Sequence, residues 1–270
     1  MAIITKITTQ QKNKDRFNIF IDDGSGERYA FSVDSDVLIN FQLKKGMDID
    51  EFSFLEIQFQ DDIRKAYNLA IHYLSRRMRS EKEIKDYLVQ KDIEEAIIHE
   101  VLHKLASHKY INDKEYAISY VRTQMNTTDK GPDLIHLELK ERGIEESLRL
   151  LALEEYHLEL QVEKAMKLSE KYFKKNQKVS DRILKQKIEQ HLVRKGYSFE
   201  VIQLAVMNAD TAKGLDEEME AIRYQGEKAH RKYAMYNGYE YSHKMKQALY
   251  RKGFPMDIIE KYLMERQNHD

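Results

Sequence analysis

The chain has 270 residues, 41% of them hydrophobic and 34% charged, with 10 Gly, 2 Pro and no cysteine. The missing thiols exclude disulfides, Cys-ligated zinc, iron–sulfur clusters and a cysteine nucleophile, and the scarcity of helix breakers favours long helices over an all-β fold. A formal net charge of −1 excludes the overall positive field of a dedicated nucleic-acid binder, so any phosphate contact must rest on local clusters.

Residues 1–58 read as a small β-rich N-terminal domain. The runs 3–9, 17–22 and 28–33 are short and rich in Ile, Phe, Tyr, Thr and Val, with turn material between them, which predicts an antiparallel meander. Phe20 breaks the alternation of the second run, and a helix near residues 36–43 is expected to cover one face. Gly24 and Gly26 lack the Lys and following helix of a phosphate loop and mark a hairpin turn. Asp61 and Asp62 are expected to cap the long helix that follows them.

Beyond this region the chain repeats. The hexamers LVQKDI at 88–93, LKERGI at 139–144, LVRKGY at 192–197 and LYRKGF at 249–254 align without gaps. Ile84, Ile135, Ile188 and Met245 stand four residues before each leucine. Ile97, Leu148, Val201 and Ile258 stand five residues after the Asp or Gly position. Apolar residues at these spacings share a helix face, and glycine after a cation in the last turn is a helix stop, so each unit contains a helix, a tight turn and a second helix. Asp92 replaces Gly in the first unit and can adopt the left-handed conformation at some cost. The residues 80–83 form a capping-box pattern, and Pro132 suits the first position of a helix.

The landmarks recur at intervals of 51, 53 and 57 residues, which leaves room for a third helix after each of the first three hairpins, at residues 116–122, 162–172 and 219–233. The expected fold is mainly α: tandem three-helix repeats at 59–126, 127–179 and 180–236, then a partial two-helix repeat at 237–270, in an elongated, curved array. Such arrays offer extended docking surfaces and point to binding over catalysis.

Residues 74–84, 110–117 and the pair Gly131 and Pro132 with LKERGI at 139–144 resemble, in order and spacing, successive signatures of the RecX regulators. The resemblance covers residues 67 to 270, and the N-terminal extension resembles the longer form of the family. It implies an all-helical array that binds the RecA filament on DNA, modulates its ATP hydrolysis and strand exchange in recombination and repair, and needs no cofactor, metal or chemistry of its own. Asp92 and the weakly basic stretch 126–130 depart from the family pattern.

Three basic clusters are the candidate contacts with partner or DNA: Arg76, Arg77, Arg79 and Lys82; the helical stripe Lys164, Lys167, Lys171, Lys174 and Lys175, with Lys178 beyond it; and Lys228, Arg231 and Lys232. Tyr172 and Phe173 could stack on bases, although aromatics at this spacing are commonly core. His99 and His103 match the zinc-protease spacing around Glu100, yet they fall off the apolar face of their helix and read as solvated histidines. The alternative function is a helical-repeat scaffold or single-stranded DNA binder acting without RecA. Expected partners are the RecA filament and DNA within it, with no membrane and no small-molecule substrate. The expected location is the cytoplasm, given the absence of cysteine and of a recognisable export or anchoring segment.

Overall fold

The computed structural model describes residues 2–267, which form thirteen helices and one four-stranded sheet. The chain divides into two compact units: Met1–Ala117 with Glu141–Leu148, and Ile118–Lys140 with Arg149–Asp270.

The first compact unit opens with strands β1 (Ala2–Thr9), β2 (Arg16–Asp22) and β3 (Arg28–Asp34), helix α1 (Ser35–Asn40) and the short strand β4 (Asp48–Ile49). The sheet order is β3-β2-β1-β4, with every neighbouring pair antiparallel. The β2–β3 register shifts between Ile19 and Phe20, where Ala30 is the extra residue on β3; β2 itself keeps alternating, with Ile19 and Ile21 buried and Phe20 on the other face against Tyr29. Ile4, Ile19, Phe31 and Val33 are buried against Val37 of α1 and Ile57 of the next helix. Asp22 Oδ1 accepts hydrogen bonds from the Gly24 and Gly26 N–H groups at 2.8 and 3.0 Å, so this loop is a self-closed hairpin turn.

Helix α2 (Glu51–Leu74) starts inside the predicted N-terminal domain and runs on without a break, its first turns on the sheet and its last turns in a helical core. Asp50 caps its N-terminus, accepting from Ser53 N–H at 2.7 Å. Asp61 and Asp62 therefore lie within the helix and cap nothing. Asp61, its side chain 3% exposed, binds Arg16 at 2.8 Å, Lys65 at 3.0 Å and the Asp34 N–H at 2.8 Å. Burial alone would raise its carboxyl, but these hydrogen bonds outweigh burial and hold it below the ordinary carboxylate range. Removing one partner of such a buried pair typically costs about 3–5 kcal/mol, so this cluster ties α2 firmly to the sheet.

The remaining helices are α3 (Glu81–Val89), α4 (Glu95–Ser107), α5 (Asp113–Thr127), α6 (Pro132–Glu141), α7 (Glu146–Leu153), α8 (Leu158–Lys175), α9 (Asp181–Arg194), α10 (Phe199–Asn208), α11 (Leu215–Tyr233), α12 (Gly238–Arg251) and α13 (Met256–Gln267). Their cores fix the phase of the repeat. Ile63, Ala66 and Ala70 of α2 pack with Ile84 and Leu88 of α3 and Ile97, Val101 and Leu105 of α4. Ala165, Leu168 and Phe173 of α8 join α9 and α10, and Met219, Ile222 and Ala229 of α11 join α12 and α13. In these three cores the long helix belongs with the hairpin that follows it. The expectation that it completes the preceding hairpin is corrected, and the C-terminal repeat is a full three-helix unit. The apolar stripe of a long helix is equally regular whichever hairpin it serves; the partner is decided by packing.

One joint recurs between consecutive repeats. The hairpin turns place Gly143, Gly196 and Gly253 at φ of 79°, 83° and 84°, and Asp92 at 57°. The carbonyl before each glycine accepts a hydrogen bond from the start of the first hairpin helix in the preceding repeat. Ser80 Oγ donates to Arg142 O at 2.8 Å, Gly131 N–H to Lys195 O at 2.6 Å, and Ser180 Oγ to Lys252 O at 2.6 Å. The approach leaves no room for a side chain: a Cβ on Gly143 would sit 2.7 Å from the Lys82 Cβ, on Gly196 2.5 Å from the Leu134 nitrogen, and on Gly253 2.6 Å from the Ser180 Oγ. No repeat precedes the Asp92 turn, so only its left-handed conformation constrains the residue there.

Carboxylates reinforce these ends. Asp113 at the start of α5 accepts from Glu81 N–H at 2.9 Å, and Glu218 of α11 accepts from Asp181 N–H at 3.0 Å. Each negative group faces the positive end of a hairpin helix.

Candidate functional site

The arginine cluster lies between α2 and α3, and its chemistry is largely internal. Ser80 and Glu83 form a complete capping box. Glu83 also binds Arg77 at 2.5 Å and lies 3.8 Å from Arg79. Burial would raise the Glu83 carboxyl, but Arg77 and the Ser80 N–H outweigh it and keep it low. The Arg79 guanidinium lies 3.9 Å from the centroid of Tyr73, which stacks on Tyr87 at 4.0 Å and 7°, with Lys91 5.7 Å from the Tyr87 ring. With a side chain 13% exposed, Arg79 is one layer of this cation–π stack. Lys82 Nζ donates to Glu141 O at 2.8 Å, extending the joint between the first two repeats. Of the four residues, Arg76 alone is exposed and without a hydrogen bond or ion pair to the described residues.

The lysine stripe divides along α8. Lys164 Nζ donates to Met125 O and Thr128 O at the C-terminal end of α5, and Lys167 pairs with Glu163 one turn away. Lys213 makes the equivalent contact one repeat later, donating to Gln177 O and Val179 O past α8. Lys164 is therefore a helix-end clamp, which a one-dimensional stripe could not reveal. Phe173 is buried in the third core.

The end of the stripe is different. Lys171 and Lys175 line a pocket of about 240 Å³ together with Tyr172, Lys195, His191 and Asp129. Lys195 and His191 arrive from the last turn of α9, which the Lys195 O joint holds in place against Gly131. None of the three lysines has a carboxylate within ion-pair distance among the described residues. The His191 ring lies 4.9 Å from the Tyr172 ring. Burial chiefly pushes the imidazole below its ordinary range, Lys195 and Arg194 push it further, and Asp129 opposes them.

Lys174 is exposed on the same helix. Lys178 and Lys228 both lie over Tyr224, at 4.7 and 4.3 Å from its centroid, and lower its hydroxyl. Arg231 and Lys232 are exposed, Lys232 lying 5.5 Å from the Tyr233 ring. The structure thus joins the second and third clusters through Tyr224, and adds Lys195 and His191, which the sequence reading left out. Lys195 stands in the hexamer LVRKGY as a cation facing a helix end, and His191 immediately precedes that hexamer.

His99 and His103 lie on the exposed side of α4. Among the described residues there is no group of three or more His, Asp or Glu that could hold a metal, and no helix long and apolar enough to cross a membrane.

Family models match nearly the whole chain. The regulatory protein RecX N-terminal domain matches residues 2–50, the first RecX three-helix domain 66–105 and the second 112–153. The third matches twice, at 159–206 and 216–263. The chain belongs to the RecX family of regulatory proteins. The double match to the third RecX domain agrees with the complete fourth repeat seen in the core. The regulatory protein RecX of Bacillus licheniformis is 47% identical over 266 residues, covering 98% of this chain and 100% of that protein. That of Bacillus subtilis is 46% identical over 267 residues, covering 99% and 100%. Among solved structures, a regulatory protein RecX aligns with a TM-score of 0.69 at 39% identity, over 76% of this chain and 98% of the other. RecX from Lactobacillus salivarius aligns with a TM-score of 0.55 at 44% identity, over 57% and 99%.

Proposed function

We propose that this RecX-family chain binds the RecA filament on DNA and modulates its ATP hydrolysis and strand exchange. The observation that carries the reading is the end-to-end relation to regulatory RecX proteins, with every family domain present and in order. The architecture supports it physically. Tandem repeats present several surfaces along one chain, and a partner that is itself repetitive can engage them together, so that weak contacts add through effective concentration. Regulation by such a protein needs no catalytic group, only preferential binding to one state of the filament.

The second reading, binding to a single strand without RecA, is favoured by the unpaired lysines around Lys171, Lys175 and Lys195. The experiment is a titration of the full chain into RecA hydrolysing ATP on single-stranded DNA, with bare-strand binding measured alongside. The filament reading expects hydrolysis to change at less than one chain per RecA subunit. No change in hydrolysis alongside tight bare-strand binding would replace it with the second reading.

A further inference from the structure

We propose that the pocket formed by Lys171, Lys175, Lys195 and His191 is a phosphate site that takes a backbone phosphodiester of a single nucleic-acid strand. This deepens the nucleic-acid part of the proposed function and rests on it only in the choice of ligand. Three lysines and a histidine line a pocket of about 240 Å³, room for one phosphate, and its one carboxylate is Asp129. Lys167 and Lys185 each meet a carboxylate one turn away on their own helices. These three do not, although the chain as a whole carries as much negative as positive charge. Three like charges that share one carboxylate, Asp129, leave a net positive site, and a bound phosphodiester offsets that charge.

The surroundings suit a strand. Tyr172 forms one wall, so a base next to the bound phosphate meets an aromatic edge. The site is also built: the Gly131 N–H to Lys195 O bond fixes the end of α9, and Asn176 anchors the end of α8 by donating to Tyr172 O at 2.8 Å. The groups facing His191 are Lys195 and Arg194 on its own helix, Lys171, Tyr172 and Lys175 on α8, and Asp129 before α6. A phosphate placed among them favours the protonated imidazole, so binding takes up a proton and strengthens as pH falls through the ordinary histidine range, about 6.5.

The test is binding of a fluorescently labelled oligothymidylate to the full chain, with no recombinase present, over a salt series. The variant Lys175→Gln with Lys195→Gln is expected to weaken binding about tenfold or more and to lower the slope of log affinity against log salt by about 0.7, one single-strand phosphate contact's worth. The control Lys114→Gln with Lys261→Gln removes the same charge elsewhere, on α5 and α13, and should change the slope little; circular dichroism confirms unchanged helicity in both. Between pH 7.5 and 5.5 the intact protein should gain up to about tenfold more affinity than His191→Gln. Equal losses in the two lysine pairs would overturn the site. Capture of inorganic pyrophosphate at the pocket without any effect of its lysines on strand binding would overturn the strand as its ligand. Because RecA is absent, these outcomes are independent of the ATP hydrolysis experiment: either reading can fail while the other stands.

Discussion

Asp92 and Gly196 occupy the same place in their hairpins, and both adopt positive φ, yet they answer different demands. Gly196 must turn the chain and also admit the backbone of Leu134 to within a distance that no Cβ could share. Asp92 must only turn the chain. A glycine that recurs in a repeat is commonly read as a helix stop, but here three of the four also serve as the face through which one repeat rests on the next. The fourth position, Asp92, lies in the first hairpin and has no preceding repeat to rest against.

Three substitutions would break or sharpen this contrast. Gly196→Ala should have the largest effect, about 2–5 kcal/mol of lost stability in urea unfolding of the full chain, because left-handed strain and a clash with main chain add together. A loss below about 1 kcal/mol would mean that the joint yields easily. Ser180→Ala removes both the cap of α9 and the donor to Lys252 O, and an intermediate loss of about 1–2 kcal/mol is expected. Asp92→Gly should do least and in the opposite direction, a gain between zero and about 1 kcal/mol from relief of backbone strain. Destabilisation by Asp92→Gly would show that the aspartate side chain makes a contact worth more than the strain.

The sequence carried the repeat itself, since the leucines, the turn glycines and the apolar positions around them are local and regular. It did not carry the phase, because Met219, Ile222 and Ala229 of α11 present the same periodicity whether they pack backward or forward. The candidate site was legible in the same uneven way. Lys171 and Lys175 share a helix and could be paired by spacing alone. Lys195 and His191 approach from another helix and are brought in by the Gly131 joint. Conversely, Arg77 and Arg79 were conspicuous in sequence, and the residue that draws both inward, Glu83, was already visible as the capping-box glutamate. Read together with the arginines four and six residues before it, that carboxylate would have marked the cluster as internal.

The joint has a consequence for how such chains change length. Its parts are a glycine turn on one side and a small residue, Ser80, Gly131 or Ser180, on the other, with backbone carbonyls making the bond. The halves are alike but not identical: Ser80 and Ser180 donate a hydroxyl, whereas Gly131 donates its N–H at a place where a Cβ would sit 2.3 Å from the Gly196 carbonyl oxygen. A chain built on such joints grows by adding one more hairpin whose turn carbonyl meets the small residue before it, and the two segments that match one RecX domain, 159–206 and 216–263, are linked in this way by Ser180 and Lys252.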